Sequence, residues 1–317
     1  MKSQYVNELK IGQTVKEKFL LTRKNLKEKK DGGFYTQTEF ADRTGAIEGI
    51  AWDDASEDLK ELSIGDFVFI VGSVSEYNGR LQIVVSSIRK VAEDEIDPDD
   101  FLPRAEEDIG SVMEEIETYR KRIKNSYLKN LVELFFLDTT FLEKFCRAPA
   151  AKKAHHAYIG GLALHTRNIL RLINGIQNSY NFLNFDLLLT AGFLHDIGKI
   201  YEYNYHKKIE YSTIGKMLGH IIIGYQMVSQ KIDRISGFPE DLKLKILHMI
   251  LSHHGELEWG SPIVPCFPEA LVLHFIDNLD SKMEMMREAS KQKRGEDKEW
   301  SDYHPLLERE IYLKEEG

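Results

Sequence analysis

All eleven histidines of this 317-residue chain lie between residues 155 and 304, and none falls in the first 154. Several interrupt apolar runs: His165 in "LALHT", His195 with Asp196 in "FLHDIGK", His220 in "MLGHII", and His253 with His254 in "ILSHHGE". Asp277 does the same in "HFIDNLD". A carboxylate beside an imidazole at the end of a buried apolar helix is costly unless something satisfies it, and a metal ion is one such partner. Imidazole and carboxylate without neighbouring thiolates suit Mn, Fe, Co, Ni or Zn in a working site, and argue against a structural zinc site.

Geometry restricts which donors cooperate. Adjacent residues on a helix point about 100° apart, so His195 and Asp196 cannot easily share one metal from mid-helix. They can do so near a helix end, or if Asp196 bridges two metals while His195 holds one. A glycine follows each pair, in "HDIG" and "HHG", as expected where a helix stops. Lys199 lies at i+4 from His195 and i+3 from Asp196, on the site's side if the helix runs one more turn, where its ammonium meets a substrate phosphate oxygen. Asp196 and Lys199 are therefore the expected catalytic residues. The other histidines have plainer expectations: His248 packs, His206 and His304 face solvent, and His274 hydrogen-bonds Asp277. His155 and His156, in "KKAHHAYIGG", belong to a surface loop or to the substrate rim of the site.

The elements that must position these residues differ between the two halves. Residues 1–92 read as about five short strands broken by turn signals, with Asn78-Gly79 between two alternating runs as a type I′ hairpin turn. That spacing fits a small all-β barrel. Residues 93–110, "EDEIDPDDFLPRAEEDIG", are acidic, hold two prolines and show no period, which predicts a solvated linker. From 111 to 317 apolar residues recur every three or four positions, and the expectation is an all-α domain. The chain is thus read as multidomain.

Composition bounds the function. The formal charge is −9 and the pI about 5.7, so a polyanionic ligand must be held by local basic patches or by metals. Two cysteines cannot build a disulfide framework, the amino terminus has no apolar signal-peptide core, and no apolar run approaches the roughly 20 residues of a membrane helix. A soluble cytoplasmic protein is expected.

The ordered series His165, His195-Asp196, His220, His253-His254, Asp277, in the contexts "GGLALHT" and "LHDIGK", resembles the HD superfamily of metal-dependent phosphohydrolases. The resemblance implies an all-α domain whose ligands converge on one or two divalent metals, manganese first, with Fe, Co, Ni or Mg as alternatives. His165, His195, Asp196 and Asp277 match the minimal ligand set. His220, His253 and His254 match the extra ligands of binuclear members, and Lys199 matches a lysine that contacts the scissile phosphate in some. Two metals about 3.5 to 4 Å apart stabilise attack and departure at phosphorus, and lower the pKa of bound water from 15.7 towards about 7.

The stretch "FYTQTEFADRTGAIEGIAW" resembles the nucleic-acid-binding OB-fold signature, with Asp42, Thr44 and Gly45 building a turn. Phe34, Tyr35 and Trp52 are then candidates for stacking on bases, and Lys24, Lys27, Lys29, Lys30 and Arg43 for phosphate contacts. An OB-fold followed by an HD domain resembles the YhaM-type 3′-to-5′ exoribonucleases. This implies hydrolysis of phosphodiester bonds in single-stranded RNA, with the OB-fold feeding the 3′ end. The expected partner is RNA and not a membrane, and a homo-oligomer is compatible with the sequence. Two other readings are an HD nucleotide or cyclic-dinucleotide phosphohydrolase with a regulatory OB-fold, and a binding protein whose helical domain is only structural. The "GYP" signature of the cyclic-di-GMP branch does not occur in the sequence.

Overall fold

The structure is a computed structural model that describes residues 2–28, 34–152, 156–205, 208–291 and 299–313. The chain divides into two compact units: residues 1–104 together with 205–208, and residues 105–204 together with 209–317.

The first unit is built on β1 (Thr14–Glu28), β2 (Phe34–Asp42), β3 (Gly45–Trp52), β4 (Phe67–Tyr77) and β5 (Arg80–Lys90), with the short helix α1 (Asp53–Asp58) after β3. The strands close into a barrel in the order β1-β2-β3-β5-β4. β3 and β5 pair in parallel, and the other neighbours are antiparallel. Alternation along β1 turns Val15, Glu17, Phe19 and Leu21 inward, where the apolar three meet Phe40, Ala51, Ile70, Ile83 and Val85. Full burial of each large apolar side chain contributes about 1.5–3 kcal/mol. Glu17 is tolerated among them because its Oε2 accepts from Ser3 N at 2.6 Å, Ser3 Oγ at 2.9 Å and Gln4 N at 3.2 Å. Asn78 and Gly79 both take positive φ, 50° and 75°, and close the β4–β5 hairpin at Tyr77↔Arg80. Asp42 Oδ1 accepts from Thr44 N and Oγ1 at 2.9 and 2.6 Å, which makes the β2–β3 turn.

The segment expected to be a solvated connector is only partly so. Phe101 and Leu102 are buried, and Phe101 packs edge-on against Phe67 with ring centres 4.8 Å apart. The acidic residues around them hide two apolar anchors that periodicity alone does not reveal.

The second unit contains α2 (Ile109–Arg120), α3 (Ser126–Phe136), α4 (Thr139–Arg147), α5 (Gly161–Ile176), α6 (Phe185–Leu194), α7 (Lys199–Glu202), α8 (Thr213–Ile232), α9 (Glu240–Ser252) and α10 (Pro268–Lys291). Two three-residue strands, β6 (Tyr203–Tyr205) and β7 (Ile209–Tyr211), pair between α7 and α8, and residues 299–313 form no helix but two isolated bridges, Trp300↔Tyr312 and His304↔Arg309. Asp108, Asn125, Asp138, Asn184 and Ser212 cap α2, α3, α4, α6 and α8 through their side chains. Beyond its first turn α6 is enclosed on every side, each residue from Leu187 to Leu194 being buried, and Thr190, the one polar residue among them, donates to Asp186 O at 2.8 Å. The helix ends where the polar pair begins. Among the described residues no helix is long and apolar enough to cross a membrane.

Candidate metal centre

α6 stops at Leu194, so His195 and Asp196 occupy a tight turn before α7 and not a mid-helix face. Gly198 is required there by close approach: a Cβ would stand 2.0 Å from His220 O and 2.7 Å from Gly224 N. The turn, not a continued helix, carries Lys199 back, and its Nζ lies 2.6 Å from Asp196 Oδ2. His165 comes from the second turn of α5, Asp277 from α10, and His253 and His254 from just beyond α9. His220 follows a break in α8 at Gly219, whose φ of 70° and ψ of 159° interrupt the helix. Left-handed backbone of that kind favours glycine.

Five segments thereby bring their donors to one place. His165 Nε2 lies 3.1 Å from both His195 Nε2 and Asp277 Oδ1, and 3.4 Å from Asp196 Oδ2. On the other side of the same carboxylate, Asp196 Oδ1 lies 3.4 Å from His220 Nε2 and 3.6 Å from His253 Nε2. His254 joins this second group, its ring centre 4.5 Å from that of His253 and 5.1 Å from that of His220. Donor atoms of His165, His195 and Asp277 form one group that could hold a metal, and those of His220, His253 and His254 form another.

Hydrogen bonds at the opposite ring nitrogens set the direction of each imidazole. His195 Nδ1 donates to Gly192 O at 3.1 Å, His253 Nδ1 to Ile250 O at 2.7 Å, and His254 Nδ1 to Trp259 O at 3.0 Å. A carbonyl only accepts, so these three carry their proton on Nδ1. His220 Nδ1 donates to Glu202 Oε1 at 3.0 Å, and His165 Nδ1 to Asp280 Oδ2 at 2.7 Å. Every one of these five rings thus presents Nε2 to the centre, the arrangement that outer carboxylates and carbonyls impose on metal-binding histidines.

The electrostatics favour positive charge between these donors. Burial by itself depresses His165, but its hydrogen bonds to Asp277 and Asp280 outweigh burial and raise it to about 10. Burial drives His195 down to about 4, and burial with the neighbouring His253 and His220 drives His254 to about 3. Burial would raise Asp196, yet the Lys199 ammonium and the surrounding imidazoles hold it well below the usual carboxylate range. Burial likewise opposes ionisation of Asp277, and its hydrogen bond to His165 holds it far below that range. Asp196 Oδ1, His220 Nε2 and His253 Nε2 are buried without a hydrogen-bond partner. Orphaned acceptors converging on one point, in a set of nitrogen and oxygen donors with no thiolate, fit divalent cations.

The remaining sequence candidates fall into place unevenly. His156, expected in a surface loop or at the substrate rim, is 2 % exposed and lies behind the centre. Its Nε2 is 3.0 Å from Asp280 Oδ2 and its Nδ1 2.7 Å from Tyr158 OH, so it buttresses the carboxylate that orients His165. His274 does not bond Asp277; its Nδ1 donates to His253 O, a carbonyl left open at the end of α9. His248 accepts from Cys266 N at 3.2 Å. His304 Nδ1 accepts from Leu307 N, while His155 and His206 lie outside the described residues. Sequence reasoning missed Glu202 and Asp280; the visible signal was their place three residues beyond Lys199 and Asp277, on the following helical turn.

On the barrel, Phe34 is 55 % and Trp52 41 % exposed, and Trp52 stacks on Tyr35 with ring centres 4.9 Å apart. Arg43 stands over the Tyr5 ring at 4.3 Å and 4.0 Å from Asp100 Oδ1. Lys24, expected on phosphate, instead donates to Leu59 O and Leu62 O at 3.0 and 2.5 Å. Lys27 is exposed, and Lys29 and Lys30 lie outside the described residues.

The HD domain model matches residues 162–282, and the model of an OB-fold nucleic acid binding domain matches residues 21–91. The chain is 38 % identical over 257 residues to the 3′-5′ exoribonuclease YhaM of Geobacillus sp. (strain WCH70), covering 80 % of this chain and 78 % of that protein. It is 38 % identical over 249 residues to the protein of the same name in Bacillus subtilis (strain 168), covering 78 % of each. The Bacillus velezensis protein of that name is 34 % identical over 280 residues, covering 88 % of each chain. With an OB-fold barrel, an HD domain and relatives aligned over most of both lengths, this chain belongs to the YhaM 3′-5′ exoribonuclease family.

Proposed function

We propose that this protein is a metal-dependent 3′-to-5′ exoribonuclease that hydrolyses the phosphodiester bonds of single-stranded RNA. The observation that carries the reading is Asp196, whose two oxygens face two different histidine groups: Oδ2 towards His165 and His195, Oδ1 towards His220 and His253. The names of the aligned relatives support the substrate and the direction.

In this reading His165, His195 and Asp277 would hold one divalent cation and His220, His253 and His254 a second, with Asp196 offering an oxygen to each group; manganese suits these nitrogen and oxygen donors. Such a pair supplies acidified water and charge neutralisation at phosphorus. The protein's own groups do the rest. Lys199 balances the charge of Asp196 and offers an ammonium to the phosphoryl group. Asp280 and Glu202 hold His165 and His220 in one tautomer. On the barrel, Phe34 and the Tyr35–Trp52 stack offer flat faces to bases, and Arg43 contributes charge. The free cysteines Cys146 and Cys266 fit a cytoplasmic setting.

The test is incubation of 5′-labelled single-stranded RNA with the protein and Mn²⁺, beside Asp196→Asn. Stepwise shortening that the substitution abolishes supports the reading. Intact RNA together with cleavage of a mononucleotide or cyclic dinucleotide would overturn it.

A further inference from the structure

Solvent reaches the centre at His220, His254 and Asp277, which are partly exposed, whereas His165, His195, Asp196 and His253 are buried. Behind His254, on the side of its ring away from the centre, lies Trp259, the last residue of the short turn Leu257–Trp259 between α9 and α10. Its carbonyl accepts from His254 Nδ1 at 3.0 Å, so its backbone is one imidazole ring away from a candidate donor nitrogen. Its indole is 51 % exposed. The ring is held at one side by His274, 5.9 Å away between centres, and His274 is itself anchored to His253 O at 3.0 Å. Lys282 Nζ stands 5.6 Å from the centre of the indole. Sequence reading did not single out Trp259, because an isolated tryptophan in a loop carries no periodic signal.

Indole is the side chain with the largest flat face, and base–aromatic stacking tolerates any base because every base has a π-face. The residues around Trp259 in sequence, Glu256 and Glu258, are acidic, so this turn is unsuited to clamping phosphate by charge. What it offers is a half-exposed indole one imidazole away from a candidate donor nitrogen, with the Lys282 ammonium over part of the ring. We propose that Trp259 stacks on a nucleobase flanking the scissile phosphate, giving the helical unit a base-recognition element of its own in addition to the barrel's. This rests on the single-strand nuclease reading above. The platform holds the end of the strand against the centre without selecting its sequence, which suits an enzyme that must advance through every base.

The experiment compares steady-state shortening of two RNAs by wild type, Trp259→Ala and Trp259→Phe. One RNA is unmodified, and the other is abasic at its last two positions. On unmodified RNA, Trp259→Ala should raise KM by about 5- to 150-fold, the range that one base–aromatic stack carries, and Trp259→Phe should restore much of the loss. On the abasic RNA, wild type and Trp259→Ala should have KM values within about twofold of each other, since no base remains to stack. Equal losses on both RNAs would mean structural damage and overturn the proposal, as would an unchanged KM on unmodified RNA. A changed sedimentation mass with unchanged RNA kinetics would assign the ring to a contact between copies and also overturn it. Failure of the wild type to shorten either RNA would instead sink the nuclease reading itself.

Discussion

On the barrel Phe34 and Trp52 stand about half in water, whereas in the helical unit His165 and His195 are fully buried. The contrast follows from what each region would bind. A base is flat and weakly polar, so an aromatic ring can wait for it in solvent at little cost, and each ring contributes nearly independently. A cation must be taken from water by donors that are desolvated, aimed and held, and an unmatched buried carboxylate is expensive. Hence Asp196 is surrounded by imidazoles on two sides and each imidazole is fixed from behind, while Trp52 stacks on Tyr35 and stays 41 % exposed. Substitutions at the centre should act cooperatively, and those on the barrel should add.

The largest effect should come from Asp196→Asn. It removes the charge facing both histidine groups, and kcat on single-stranded RNA should fall by more than about 100-fold, beyond the 10–100-fold typical of losing an outer partner. A variant within tenfold of wild type in single-turnover kinetics would show that Asp196 serves only one group.

Next come the residues behind the candidate ligands. Glu202→Gln and Asp280→Asn leave every inward-facing nitrogen in place but weaken the group that fixes His220 or His165. Calorimetric titration with Mn²⁺ should show affinity reduced by about 10–100-fold in each. Unchanged affinity would mean that packing alone orients these rings.

On the barrel, Trp52→Ala should weaken binding of a short single-stranded RNA by about 5- to 150-fold in fluorescence anisotropy, with Mn²⁺ affinity unchanged. If Mn²⁺ affinity falls as well, the two regions are not independent and the contrast drawn above fails.

The smallest effect concerns pH in the metal-stripped protein. His195 and His254, lowered to about 4 and about 3 from 6.5, bind fewer protons folded than unfolded, so stability declines as pH drops below about 6.5. His165, raised to about 10, has the opposite sign: its contribution is complete below about 6.5 and is lost as pH rises towards 10. The melting temperature of chelator-treated protein should therefore peak near pH 6.5. Saturating Mn²⁺ should flatten the alkaline side, because a cation replaces the proton at His165 Nε2. A profile without an alkaline decline in the chelated protein would remove His165 from the carboxylate network described here.

Much of the architecture was legible in local patterns. Alternation in β1, the Asn78-Gly79 turn and the three-to-four period of α5, α8 and α10 are set by neighbours in sequence, so reading them needs no knowledge of the fold. The buried Phe101 and Leu102 escaped, because two apolar residues among acidic ones have no period to betray them. So did the inward position of His156, whose partner Asp280 lies 124 residues away. His274 shows a local rule being outvoted: Asp277 is three residues along the same helix, but an open carbonyl at the end of α9 was the stronger claim on its proton.

The sequence by itself singled out the candidate donors: His165, His195, Asp196, His220, His253, His254 and Asp277, all in the helical half and all breaking apolar runs. The tertiary structure alone decided which atoms of these residues meet. A turn tight enough to need Gly198, and a break in α8 at Gly219, aim His195, Asp196 and His220 at one point. Carbonyls and carboxylates from other elements choose Nδ1 as the protonated nitrogen and leave Nε2 facing in. Hydrogen-bond direction is a relation between groups in space, and no spacing along a chain encodes it.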